Sequence, residues 1–204
     1  MKKQRIFLAI IWALAYANTF AQKTFPEVNE KHSTVRQLTI EPGIGIHTNF
    51  GTDFLITNLV QWNPYKHLSL VSHSSFNINN ISQRDFNGIK TEYNYTLNQK
   101  IGIGTTFYTN KSSNTFLLMT GVKYTSFKET LINPDNNKVI ASINSISPDY
   151  GLMYNYKRGV KKYFFSFRIY VPLYPWPLKG SNISYIDGNN NNIALEFGFG
   201  IKIK

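Results

Sequence analysis

Apolar and polar positions alternate along most of this chain. In the last twelve residues, Ile193, Leu195, Phe197, Phe199, Ile201 and Ile203 take every second place, and Ala194, Glu196, Gly198, Gly200, Lys202 and Lys204 take the rest. A period of two predicts a strand with one apolar face. Leu38 to His47 has the same build: Leu38, Ile40, Pro42, Ile44 and Ile46 face one way, and Thr39, Glu41, Gly43, Gly45 and His47 the other. Six more strands are predicted between them, roughly over 53–62, 67–78, 92–108, 115–128, 139–156 and 162–174. Beyond Val35 no segment carries apolar residues at helical spacing. The expectation is an all-β fold, a closed antiparallel eight-stranded transmembrane β-barrel in up-and-down order, whose first and last strands are neighbours.

The connections alternate in length. "NPYK", "TNKSSN" and "KRGVK" are tight, whereas "NNISQRDFNGIKT", "ETLINPDNNK" and "YPWPLKGSNISYIDGNNN" are long and irregular. Short periplasmic turns and longer outer loops belong to transmembrane barrels. A soluble secreted lipocalin-like barrel binding an apolar ligand is the alternative.

The composition of the two faces separates these. Tyr163, Phe165, Phe167, Ile169, Val171 and Leu173 share one face of their strand, opposite Phe164, Ser166, Arg168 and Tyr170. Elsewhere too one face is aliphatic and aromatic, and the other mixes glycine with isolated charges. A soluble barrel turns its large apolar residues inward and carries charge on about a quarter to a third of its surface. The polar faces here hold too little charge for that, so the apolar face is expected to meet lipid. Glu41, Lys100, Lys123, Asp149, Arg168, Glu196 and Lys202 then form a charge network in a narrow lumen that side chains must fill. Aromatics fall near both strand ends: Trp62, Tyr65, Phe107, Tyr108, Phe116, Tyr156 and Tyr163 by the short turns, and Tyr93, Tyr124, Phe127, Tyr174 and Trp176 by the long loops. Membrane interfaces favour two such girdles.

The N-terminus refines this picture. "MKKQR", the apolar run Ile6–Tyr16 and the small residues of "ANTFAQ" have the three-part build of a secretory signal peptide, with cleavage expected near Ala21. The expected organisation is a signal peptide over 1–21, a short periplasmic segment over 22–36 and a barrel over 37–204. Loss of Lys2, Lys3 and Arg5 lowers the formal charge from +11 to +8. The remaining Lys and Arg are scattered singly, which suits anionic headgroups better than nucleic acid. The chain has no cysteine, so disulfides, thiol nucleophiles and Cys-based zinc sites are excluded.

With these features the chain resembles the small eight-stranded outer-membrane β-barrels of Gram-negative bacteria, particularly the "outer membrane protein beta-barrel domain" type of Bacteroidetes. The resemblance covers 37–204 and rests on the signal peptide, the loop alternation and the terminal strand. It implies that "EFGFGIKIK" is the sorting strand read by the barrel-assembly machinery, although such strands usually end on an aromatic and this one ends on Lys204. It also implies outer-membrane lipid and lipopolysaccharide as surroundings.

Candidate chemistry is sparse. In "VSHSSFN", His73 and Ser75 share a strand face, as a base and nucleophile would, and Glu92 is the nearest acid. The spacing is similar to the His-x-Ser pair of outer-membrane lipid A deacylases, but both residues fall on the side assigned to the lumen, away from lipid. His67 and His73 lie about 20 Å apart at strand rise, so no metal site is expected, and no cofactor. The expected function is a non-enzymatic, plugged outer-membrane barrel, structural or an accessory subunit docked to an envelope protein partner. The alternative is a membrane-embedded lipid A-modifying hydrolase using His73 and Ser75.

Overall fold

The computed structural model describes residues 37–47, 53–77, 84–86, 88–109, 111–132, 138–159, 162–174 and 193–203. The expected signal peptide, the segment 22–36 and Trp176 lie outside them. Nine strands are described: β1 (Gln37–His47), β2 (Asp53–Asn63), β3 (Leu68–Asn77), β4 (Arg84–Phe86), β5 (Ile89–Tyr108), β6 (Ser112–Leu131), β7 (Lys138–Arg158), β8 (Tyr163–Pro172) and β9 (Ala194–Ile203). Eight of them form the wall in the order β3-β2-β1-β9-β8-β7-β6-β5, and β3 pairs with β5 to close it. All pairings are antiparallel, so the fold is a closed eight-stranded barrel.

Closure joins the two most similar strands. β1 lies against β9, with Leu38 opposite Ile203 and His47 opposite Ala194. The ladder lapses around Pro42, which has no N–H to donate. Closure also sends alternate side chains to a lumen and to the outside. On β8 Phe164, Ser166, Arg168 and Tyr170 are buried, while Phe165 is 70% exposed. On β9 Glu196 is buried and Phe197 is 62% exposed. The large apolar residues therefore cover the outer surface, the reverse of a soluble barrel.

Three strands are longer than expected. β5, β6 and β7 have 20, 20 and 21 residues, against 10 or 11 for the other wall strands. β3 pairs with β5 only over Thr96–Thr105, and β8 with β7 only over Gly151–Arg158, whereas β5–β6 and β6–β7 pairing continues to Leu131. A three-stranded ribbon thus rises from the long-loop end. The predicted loop over 79–91 contains a hairpin: Phe86 pairs with Ile89 around Gly88, whose φ of 75° suits glycine. Asn87-Gly88 is a sequence signal for such a turn.

Two placements are corrected: Tyr108 follows the outward Phe107 and so shares the inward alternation of Thr106, with its hydroxyl buried. Phe127 is not part of an outer aromatic band but is fully buried, on the same side as Lys123 and Glu129. It is an odd number of residues from the outward Tyr124, so a strand turns it the other way.

Candidate functional site

The lumen holds most of the polar chemistry, and it is built by strand alternation. Arg168 on β8 and Glu196 on β9 are directly opposite one another in the ladder. Both are buried, with Arg168 Nε 3.0 Å from Glu196 Oε2, an ion-pair contact not aligned as a hydrogen bond. Arg168 Nη1 donates to the Glu41 carbonyl at 3.1 Å and Nη2 to Thr57 Oγ1 at 3.0 Å. Room for the guanidinium comes from the cross-strand pair Gly43 and Gly198. A Cβ on Gly43 would collide with Arg168 Nη2, and one on Gly198 would lie 3.0 Å from it.

Two further groups flank this pair. Lys157 Nζ contacts Glu41 Oε1 and donates to Thr39 Oγ1 at 3.0 Å, and Asn155 donates to Glu41 Oε2 at 3.1 Å. Lys100 Nζ lies 3.1 Å from Asp149 Oδ2 and 3.9 Å from the Tyr170 ring centroid, while Asn98 and the Tyr170 hydroxyl also donate to Asp149. Lys123 is buried within electrostatic reach of Asp149. Towards the short turns the lining on β2, β3, β5 and β6 is neutral. Gln61 Nε2 bonds Asn63, Ser69 and Thr106 at 3.0–3.2 Å, and Thr106 Oγ1 lies 2.8 Å from Thr115 Oγ1.

Of the seven charges placed in the lumen from sequence, Glu41, Lys100, Lys123, Asp149, Arg168 and Glu196 are buried. Lys202 is half-buried near the end of β9 and has no ion-pair partner among the described residues. Sequence reasoning missed Lys157 and Glu129, because both fell in predicted connections, and the strands run on through them. Within the barrel the buried acids are Glu41, Asp149 and Glu196, against Lys100, Lys123, Lys157 and Arg168, whereas Glu129 is buried on the ribbon, opposite Thr91 and beyond the last β3–β5 pair.

His73 and Ser75 are buried on the lumen side of β3. His73 Nε2 lies 3.1 Å from Glu196 across the barrel, and no hydrogen bond joins it to Ser75. The Glu92 side chain lies outside the described set. Among the described residues, no three His, Asp or Glu side chains stand together as a metal site would need.

Aromatic rings form two series on the outer wall. Near the short turns His67, Phe107, Phe116 and Tyr154 follow one another at centroid distances of 6.2, 6.3 and 5.1 Å across β5, β6 and β7. Trp62, Tyr65 and Tyr163 are exposed at the same end. Towards the other end Phe76, Tyr95 and Tyr124 follow at 6.5 and 5.7 Å, and Tyr174 is exposed beyond β8. The side chain of Tyr93 is outside the described set.

Similar solved structures exist. The attachment invasion locus protein Ail of Yersinia pestis matches with a TM-score of 0.50 and 10% identity, over 83% of this chain and all of that one. Its fold is shared. This is the fold of a small outer-membrane β-barrel. Neisserial surface protein A is similar at a TM-score of 0.49 and 10% identity, covering 83% and 96% of the two chains. A major outer membrane protein from Thermus thermophilus follows at 0.48 and 9%, covering 81% and 99%. No protein-family model matches this chain, and no curated protein matches it in sequence.

Proposed function

We propose that this chain is an integral outer-membrane protein, exported by residues 1–21, whose lumen is plugged by its own side chains. Its role is non-enzymatic, either structural or as an accessory subunit of an envelope complex. The division of the wall carries this reading: exposed aliphatic and aromatic residues outside, a network of paired buried charges inside. On β5 the aromatic positions Phe107 and Tyr95 are twelve residues apart, which at about 3.4 Å per residue and roughly 40° of tilt corresponds to about 30 Å of height. That is the thickness of a bilayer core. An eight-stranded barrel is only wide enough for its own side chains, so buried ion pairs in place of open space argue against a solute channel.

The short-turn end is assigned to the periplasm. Its described residues include exposed Lys66, Lys111, Arg158 and Lys162 and no Asp or Glu. A basic rim of this kind supports contact with anionic phospholipid headgroups. The ribbon of β5, β6 and β7 would stand outside the membrane, where an envelope partner could meet it.

Tagged protein extracted from native outer membranes in mild detergent should migrate differently before and after heating. In planar bilayers it should give no discrete conductance steps. Recovery in a detergent-free supernatant would overturn the membrane reading, and conductance steps would overturn the plug. A co-purifying protein at stoichiometric yield would identify the complex.

A further inference from the structure

The outer wall is not uniformly apolar. Across β2, β3 and β5 the directly opposed residues Asn58, Ser74 and Gln99 form a polar row. Ser72 and Thr120 adjoin it, opposite the two sides of Ile101. All five share the outward alternation of Ile56, Phe76, Leu97 and Leu118. Ser74 and Gln99 are exposed, and none of the five is at a rim. On β2, Asn58 lies midway between the exposed Phe54 and Trp62, roughly 14 Å along the strand from each. The opposite sector, β8 and β9, presents Phe167, Ile169, Phe197 and Phe199 at comparable height.

Hydrocarbon offers no hydrogen bonds, so polar groups facing it need partners within protein. Part of the need is met locally: Ser74 Oγ donates to Gln99 Oε1 at 2.5 Å, and Gln99 Nε2 donates to Ser72 Oγ at 2.9 Å. The remainder is not. Asn58 and Thr120 have no side-chain partner among the described residues, and Gln99 keeps a second amide N–H.

We infer that this sector is a lateral interface within the membrane, and that its occupant is a second copy of this chain. The inference rests on the transmembrane reading. Acyl chains cannot satisfy amides and hydroxyls, which excludes lipid as the partner. Two copies inserted with the same orientation are related by a two-fold axis along the membrane normal, so the sector of one meets the same sector of the other at equal depth. Amides and hydroxyls both donate and accept, so this patch complements itself where a patch of one charge would repel its copy. Ser72 and Ser74 are also small, which lets two walls approach closely.

Absence of native cysteine makes the test direct. Full-length Ser74→Cys and, on the opposite wall, Ile169→Cys are expressed in native outer membranes and oxidised. A disulfide-linked species of twice the chain mass is expected for Ser74→Cys, at least severalfold above Ile169→Cys. A Ser74→Cys protein that stays monomeric, equal cross-linking at both sites, or an adduct of another mass would each overturn the proposal. As a second arm, Asn58→Leu/Ser74→Ala/Gln99→Leu is extracted in mild detergent alongside the unaltered chain. The mass should fall from dimer to monomer with heat-dependent mobility retained; a dimer surviving the triple change would overturn the interface. Soluble recovery of the unaltered chain would instead remove the membrane reading beneath it.

Discussion

Arg168 shows how a single buried residue depends on its surroundings. Its guanidinium is fully buried and answered by Glu196, the Glu41 carbonyl and Thr57. Removing one member of a buried ion pair leaves the other uncompensated, at a cost of about 3–5 kcal/mol. Arg168→Met should therefore lower unfolding stability by that order in denaturant titration of the refolded barrel. Arg168→Met combined with Glu196→Gln should cost less than the single change. Gly198→Val should impair folding yield without altering any charge, because the new side chain enters the guanidinium site. The inward direction of Arg168 and Glu196 was legible from alternation alone. That His73 reaches Glu196 was not, since β3 and β9 are remote in sequence and meet only across the closed barrel.

At the scale of the strand, the two faces make opposite demands. An Arg on the lipid face near the midplane is destabilising by about 2–4 kcal/mol, falling to about 0–1 near the interfaces. Phe197→Arg should accordingly destabilise the barrel in bilayers far more than Tyr163→Arg, as measured by folding equilibria in lipid vesicles. A soluble barrel would show no such depth dependence. The ribbon of β5, β6 and β7 gives a second expectation. Protease added to intact cells should cut near Lys128 and Lys138 and spare Lys111 and Lys162 at the opposite end. These extensions were only partly legible: Phe127, Leu131 and Val139 fit strand composition, but Asn, Pro and Lys between 129 and 138 read as loop. Pairing of β6 with β7 continues through a register shift between Glu129 and Thr130 until Leu131 meets Lys138.

For the whole molecule, the pairing of each buried lumen acid with Lys or Arg explains how a basic chain can have a stable polar interior. Exposed Lys66, Lys111, Arg158 and Lys162 stand outside the lumen on the short-turn rim. Vesicles containing anionic phospholipid should bind the refolded barrel more tightly than zwitterionic ones, and Lys111→Glu/Lys162→Glu should reduce that difference. With His73 turned to Glu196 inside the wall, deletion of the protein should leave lipid A acylation unchanged by mass spectrometry. Altered acylation reversed by wild-type protein but not by His73→Ala would restore the hydrolase reading.

Alternation along the chain determined the fold class, the number of wall strands, the adjacency of the first and last strands, and which side chains share a face. These follow from the strand period, a local property of the backbone that hydrophobic patterning records directly. Tertiary structure decided which inward residues touch. It set Lys157 against Glu41, Lys100 against Asp149 and Tyr170, and Arg168 in the space beside Gly43 and Gly198. Such contacts depend on inter-strand register and on closure through β3–β5 and β1–β9, the latter bringing together residues more than a hundred positions apart. The outer polar sector has the same origin: Asn58, Ser74 and Gln99 are isolated interruptions in three strands, and only the register joins them into one surface.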